Sequence, residues 1–443
     1  MAFAGEPLDT EDARIWHLES ATIAGHTGKV AVVDRVPGVD PLDGLRCAFA
    51  ERLTRVPRCC ECVEPGPGDG ERLYWRTDDT FDVDRHVRRA PAADGLDRDG
   101  LLALAGELMA ARLDRDRPLW SVDVVPALAD GTWALVWRVH HCMADGMTLM
   151  RWADELLWDP TDPPAAPAST SPPPVEHAAV EREHARARWR HLAEMAELAE
   201  HAPGALAREL RPVEVHSPFA GTVGTTRRLA FARCSLDDLR AIGHATGDGT
   251  TVNDALLTAV GGGIRRWADA RGIRLPAVRV KVPVSLHVAG EHDDLGNRDS
   301  FMFVDVPLGH DDPLARLRAV HRETRRRKQH DDAHVIDALE RSRSVGRAVT
   351  RVTMSPHEFM VNVSNVPGPR TPRSVLGGRV RELYSIAEVA PHHALRVSAV
   401  SLAGTMFVGL NTDPAVVPDV AAIAAGIEQS AGELLHAVGA ATS

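Results

Sequence analysis

The chain has 443 residues, 44 % of them hydrophobic and 26 % charged, a composition that supports a sizeable core and about two to three domains. A net charge of −11 argues against a general nucleic-acid binder, though not against a local basic patch, and six cysteines are too few for a disulfide scaffold in a chain this long. No stretch approaches the roughly 18 uninterrupted apolar residues of a membrane span. The acidic start, "MAFAGEPLDTEDARIWHLE", lacks the cationic and then apolar regions of a signal peptide. A cytoplasmic protein is therefore expected, with any membrane or lipid-droplet contact peripheral and no nucleic-acid partner.

In chain order, "GKVAVVD" reads as a strand and "GLRCAFAERLTRV" as a helix. "RCCECVE" brings Cys59, Cys60 and Cys62 together, but a tetrahedral metal site needs a second pair, and Cys47, Cys142 and Cys234 are scattered. A strand with half-buried thiols is the better reading. "LLALAGELMAARL" is a helix. "TWALVWRVHH" is nearly continuous apolar from Trp133 to Val139, so it reads as a central, buried strand. "CMADGMTLMRWADELLW" is a turn into a helix, where Gly146 permits a tight backbone.

Composition changes at residues 158–177, where seven of twenty residues are proline. Such a run holds neither a helix nor a central strand and reads as a semi-rigid linker. An alanine-rich, charged helical stretch follows, broken at Pro203 and Gly204. A second globular part starts near Ser217. In it, "TVNDALLTAVGGGIRRWADARG" is a helix capped by Thr251, with Asp254 completing a capping box. "AVRVKVPVSL", "SFMFVDVPL", "FMVNVSNVPG" and "LRVSAVSLAGTMFVGLNTD" read as strands. The basic run "RETRRRKQH", around Arg325 to Lys328, reads as a solvated helix end. The sum is two α/β halves, 1–158 and 217–443, joined by a 159–216 crossover linker, with a ligand site in the cleft between them.

The residues that carry chemistry are in "WRVHHCMADGMT". Side chains alternate along a strand, so His140 and His141 point to opposite faces if the strand persists through both. Singly, a strand histidine is a half-buried core residue and Asp145 a helix N-cap. Together they suit general-base catalysis: one imidazole reaches the cleft and a carboxylate on the next turn holds local geometry. Such a base is worth about 10²–10⁴ in rate, or roughly 3–5 kcal/mol. There is no zincin motif, no Gly-x-Ser-x-Gly elbow and no phosphate loop. Cys142 adjoins His141, but adjacency in sequence does not make a nucleophile–base pair.

"HHCMADG" matches the His-His-x-x-x-Asp-Gly motif of chloramphenicol-acetyltransferase-like, CoA-dependent acyltransferases and condensation domains. Other segments resemble the bacterial wax ester synthase/diacylglycerol acyltransferase family in its order: the Pro-Leu-Asp start within residues 6–19, Pro118-Leu119-Trp120, Asn253-Asp254, "VPVSL", "LGNRDSFMFVDVPL" and "VSNVPGP". The resemblance implies two chloramphenicol-acetyltransferase-like α/β domains with the active site between them. It implies acyl transfer from acyl-CoA to the hydroxyl of diacylglycerol or a fatty alcohol, with His141 taking the proton and neither metal nor bound cofactor required. His140 and Asp145 would shape the site and Gly146 would allow close backbone approach. Asn253 would contribute polarity, with Pro118, Leu119, Trp120, Ser364 and Asn365 as walls and turns.

Two positions depart from that family. Its arginine partner for the motif aspartate usually follows Val-Pro-Val-Ser, where this chain has His287; Arg279 and Arg298 are the alternatives. Asp299 replaces an apolar residue. Aromatic content is 5 %, so a lipid tunnel would be lined by Leu, Val, Met and Ala. The alternatives are a hydroxyl or amine of a specialised metabolite as acceptor, and a non-catalytic lipid-binding relative, against which the intact motif argues.

Overall fold

The computed structural model describes residues 5–66, 72–92, 94–160, 216–246, 249–285, 299–329 and 358–442. The proline-rich run and the helical stretch after it, apart from residues 158–160 and 216, lie outside these, as do His287 and Arg298.

Two six-stranded mixed sheets organise the chain. The first runs in the order Ser374–Val375, Gly378–Ala387, His26–Val33, Trp133–His140, Trp120–Val125 and Val87–Arg89. Its histidine-bearing strand is central, and all eight of its residues are buried, as its continuous apolar pattern requires. The one charge within it, Arg138, is 1 % exposed and is held by Asp123 at 3.2 Å and by the carbonyls of Leu108 and Ala111. A buried charge persists only when paired and hydrogen-bonded in this way.

The second sheet runs Asp299–Pro307, Ala277–Ser285, Val361–Val366, Leu395–Leu402, Thr405–Thr412 and Arg228–Ser235. "LRVSAVSLAGTMFVGLNTD" is thus a hairpin, turned at Ala403 and Gly404, both with positive φ. Helix Val252–Asp269 starts with the expected capping box: Thr251 Oγ1 accepts from Asp254 N–H and Asp254 Oδ2 from Thr251 N–H. The basic run closes helix Pro313–Gln329, but Arg327 is only 8 % exposed and pairs with Glu323 at 2.7 Å, so this end is partly packed. Cys59 and Cys60 lie on the short turn Pro57–Cys60 rather than on a strand; only Cys62 stands on one, Glu61–Pro65.

The division of the chain differs from the expected one. Ser374–Val375 and Gly378–Ala387, inside the 217–443 segment, belong to the first sheet, where Gly378–Ala387 pairs antiparallel with His26–Val33. The reason is burial: Val375, Val380, Leu383 and Ile386 pack into the first half's core. This strand also carries the contact between the sheets. Tyr384 stacks on Phe231 at 3.8 Å, and Asn411 Nδ2 donates to the Ala387 carbonyl at 3.0 Å. Gly409 makes the approach close enough, since a Cβ there would lie 2.1 Å from the Ser385 carbonyl oxygen.

Candidate active site

The strand ends at His140, so His141 is the first residue of a turn and strand alternation does not decide its direction. Its N–H donates to the Gly25 carbonyl at 2.9 Å, while the His140 N–H donates to the Leu119 carbonyl at 2.9 Å. The two histidines are therefore pinned to different neighbours and have different surroundings.

His140 is fully buried. Its Nδ1 accepts from the Cys142 N–H at 3.3 Å and lies 3.0 Å from Cys142 Sγ, which puts the ring proton on Nε2. Nε2 stands 3.3 Å from Glu19 Oε2, at an angle too poor for a full hydrogen bond. Glu19 is in turn paired with Arg112 and Arg115. Burial pulls the His140 pKa down and Glu19 opposes it. Burial alone would push the Glu19 carboxyl up, but His140 and Arg115 outweigh it and hold it below its usual value. His140 is thus an uncharged strut. Cys142 is buried and its thiol is pushed well up by that burial, the wrong direction for a nucleophile.

Gly25 has φ +69°, a left-handed conformation that favours glycine, and a Cβ there would sit 2.5 Å from His140 Nε2. One residue thus anchors the His141 backbone and leaves room for the His140 ring. Nothing in the spacing of the sequence marks it.

His141 opens to space on two sides. One cavity, with about 1110 Å³ of empty space including its mouth, is lined by His141, His26, Ile15, Leu18, Ile23, Phe301 and Val389, with Glu11, Arg14 and Lys281 among its charged residues. A second, of about 820 Å³, is lined by His141, Gly146, Met147, Ser364, Asn365, Val366 and Ser385. His141, Pro283 and Arg396 line both. Both cavities draw on the two sheets, so His141 stands where they adjoin between the halves. Its pKa is lowered, first by burial, then by the Arg396 charge, with Asp145 pulling the other way. A neutral imidazole near neutral pH is the form that can accept a proton.

Asp145 caps helix Gly146–Trp152, its Oδ1 accepting from Thr148 N–H at 2.6 Å. Oδ2 is buried and has no hydrogen-bond partner among the described residues. Arg279 is not its partner, because it forms a two-point pair with Asp305 at 2.7 and 3.1 Å. Positive charge reaches Asp145 from Lys29, which is 1 % exposed and donates to Ser385 Oγ at 2.9 Å. Burial brings the Lys29 pKa down to about 7, and Asp145 opposes that shift.

Of the other sequence-predicted residues, Gly146, Ser364 and Asn365 line the second cavity, and a Cβ on Gly146 would meet Val366 Cγ2 at 2.8 Å. Pro118, Leu119 and Trp120 line neither cavity. Leu119 and Trp120 are core, with Trp120 stacked on Phe49 and His86 and its Nε1 donating to the Cys59 carbonyl at 2.8 Å. They adjoin the site through the Leu119 carbonyl that holds His140 and through the pairing of Trp120 with Val139. Asn253 lies in the first turn of its helix and lines neither cavity; its neighbour Asp254 makes the contacts, with His321 at 3.1 Å and Thr324 at 2.6 Å. Among the described residues, no three His, Cys, Asp or Glu are grouped to hold a metal ion.

Comparison with known proteins agrees with this architecture. Residues 8–256 match the wax ester synthase/diacylglycerol acyltransferase catalytic domain, and residues 295–434 the C-terminal domain of the same family. A Mycobacterium tuberculosis protein named a probable diacylglycerol O-acyltransferase is 31% identical over 425 residues, covering 92% of this chain and 90% of its own. A second protein so named in that organism is 29% identical over 463 residues, covering 97% of this chain and 98% of its own. Among solved structures, the wax ester synthase/diacylglycerol acyltransferase of Marinobacter aquaeolei VT8 superposes with a TM-score of 0.71 at 20% identity, covering 98% of this chain and 100% of that one. The first condensation domain of the calcium-dependent antibiotic synthetase gives 0.63 at 15% identity, covering 98% and 97%. These two show the fold, a two-domain arrangement like that of condensation domains.

Proposed function

Because the chain belongs to the wax ester synthase/diacylglycerol acyltransferase family and is an O-acyltransferase, we propose that it transfers a fatty acyl group from acyl-CoA to diacylglycerol or to a fatty alcohol, with His141 as general base. The observation that carries this reading is the position of His141 at the wall shared by two cavities. A transfer between two bulky substrates needs a base reachable from both sides, so that one cavity holds the thioester and the other the acceptor.

The chemistry follows from the site. Neutral His141 takes the acceptor hydroxyl proton as the oxygen attacks the thioester carbonyl carbon. The carbonyl electrons move to oxygen, and the positive Arg396, which lines both cavities, stabilises the oxyanion. Collapse of the tetrahedral intermediate expels the CoA sulfur, which receives the proton from His141. Asp145 stabilises the imidazolium formed between these steps, and His140 stays neutral and holds the strand end. No metal or bound cofactor enters the scheme.

The walls support a lipid acceptor: Ile15, Leu18, Ile23, Phe301 and Val389 give the first cavity a largely apolar surface. Glu11, Arg14 and Lys281 suit the alternative of a polar acceptor, a hydroxyl or amine of a specialised metabolite. No described helix is long and apolar enough to cross a membrane.

The test is to incubate purified full-length protein with radiolabelled palmitoyl-CoA and, separately, dioleoylglycerol, hexadecanol and polar alcohols and amines. Labelled triacylglycerol or wax ester is expected. Label only on a polar acceptor, or hydrolysis alone, would overturn the lipid reading.

A further inference from the structure

A third cavity, with about 560 Å³ of empty space, lies behind the histidine motif, and His141 is not among its lining residues. Its floor is Val56, Met143, Thr148 and Trp152, all buried, and its rim carries Arg55, Arg58, Arg151 and Glu155. The rim has one carboxylate against three guanidinium groups in a chain whose net charge is −11.

The three arginines are not equally engaged. Arg58 is committed, bonded to Glu61 at 2.6 Å and Glu6 at 3.0 Å and lying over the Trp75 ring. Arg55 only approaches Glu155, at 3.9 Å, with both side chains about half exposed. Arg151 makes no ion pair or side-chain hydrogen bond with any described residue, although it stands at the edge of an apolar hollow. A guanidinium fork fits a carboxylate by two parallel hydrogen bonds, and an apolar floor beside it takes a hydrocarbon chain.

We propose that this cavity is a binding site for a fatty carboxylate, an unesterified single-chain lipid anion, separate from the two cavities at His141. Arg151 and Arg55 hold the carboxylate, and the chain lies over Met143 and Trp152. The site has a route to the chemistry. Met143 lies within the turn between His141 and Asp145, and Thr148 donates its N–H to Asp145 Oδ1 at 2.6 Å. A bound chain presses on the residues that set the motif aspartate, so occupancy tunes the catalytic turn from behind.

The experiment photolabels the full-length protein with diazirine-bearing dodecanoate and maps the labelled peptides. Excess palmitoyl-CoA is present to fill the cavities at His141. Label is expected on the peptides that contain Val56 and Trp152 and should persist with palmitoyl-CoA. It should fall by about tenfold or more in Arg151→Glu, as loss of a charged hydrogen-bond partner requires. Arg151→Met, which keeps the aliphatic stem, should show the same loss and serves if the glutamate variant folds poorly. The matching diazirine dodecanol should label this site weakly. No label here, label confined to the cavities at His141, equal label from the alcohol, or undiminished label in both variants would overturn the proposal. None of these outcomes depends on turnover, so they stand apart from the acyl-transfer reading.

Discussion

Replacing Gly25 by alanine should damage both stability and turnover. The left-handed φ of +69° costs an alanine about 1–2 kcal/mol. The new Cβ would also sit 2.5 Å from His140 Nε2. That ring has little room to retreat: it is 0 % exposed, with Cys142 Sγ 3.0 Å away on Nδ1 and Trp16 packed at 6.1 Å between centroids. Overpacking of this kind costs about 1–3 kcal/mol, for a total of roughly 2–5 kcal/mol. Gly38→Ala is the control, because Gly38 has φ +81° but nothing within 4 Å of its would-be Cβ. Urea unfolding of both variants separates the terms, the backbone cost appearing in each and the collision only in Gly25→Ala. Turnover should fall by about 100-fold in Gly25→Ala, because the Gly25 carbonyl holds the His141 N–H and a shift of about 1 Å in a catalytic group costs that much. Equal destabilisation by the two substitutions, with turnover intact, would refute the argument that His140 is wedged against residue 25.

Further outcomes follow from the buried charges. Lys29 has a folded-state pKa of about 7, below its unfolded value of 10.5, so from about pH 7 to 10.5 the unfolded chain binds more protons and stability from this group rises with pH. Lys29→Met should flatten that rise in unfolding measured across the window; an unchanged slope would contradict the shift. Arg396 lowers the His141 pKa and Asp145 raises it. Arg396→Met should therefore move the acidic limb of the kcat/KM profile to higher pH, and Asp145→Asn, which keeps the helix cap, to lower pH; movement of both in one direction would contradict the assignment. Arg227 Nε pairs with Glu388 Oε1 at 2.8 Å, with side-chain exposures of 1% and 7%. Arg227→Met should cost about 3–5 kcal/mol in urea unfolding near neutral pH, and less as the pH falls and Glu388 protonates; a loss below about 1 kcal/mol would show that the pair is not needed.

The motif was legible because its parts are contiguous: "HHCMADG" shows a strand end, a turn and a capped helix in seven letters. The capping box at Thr251 was legible for the same reason, since caps are local. What the pattern hid is long-range. Glu19, Gly25, Lys29 and Arg396 reach the site from other elements, and "HTGKVAVV" and "LRVSAVS" read as ordinary strands with one charge each. The exchange of Gly378–Ala387 into the first sheet is equally invisible, because its apolar alternation says that one face is buried but not against which half. The partner of Asp145 is expected after "VPVS", at His287, which lies outside the described residues; Arg279, just before that segment, is tied to Asp305. The neighbouring charge comes instead from Lys29, on the strand beside the histidines.

The central claim is that His141 is the base at the wall shared by the two cavities. Its most direct test is the rate of labelled product formation from palmitoyl-CoA and dioleoylglycerol, or from hexadecanol if that is the preferred acceptor, by His141→Ala. Circular dichroism and the unfolding midpoint should first match those of the unsubstituted protein. A fall of about 10²–10⁴ in turnover is expected from loss of a general base. Turnover within a few-fold of the unsubstituted protein, in a folded variant, would contradict it.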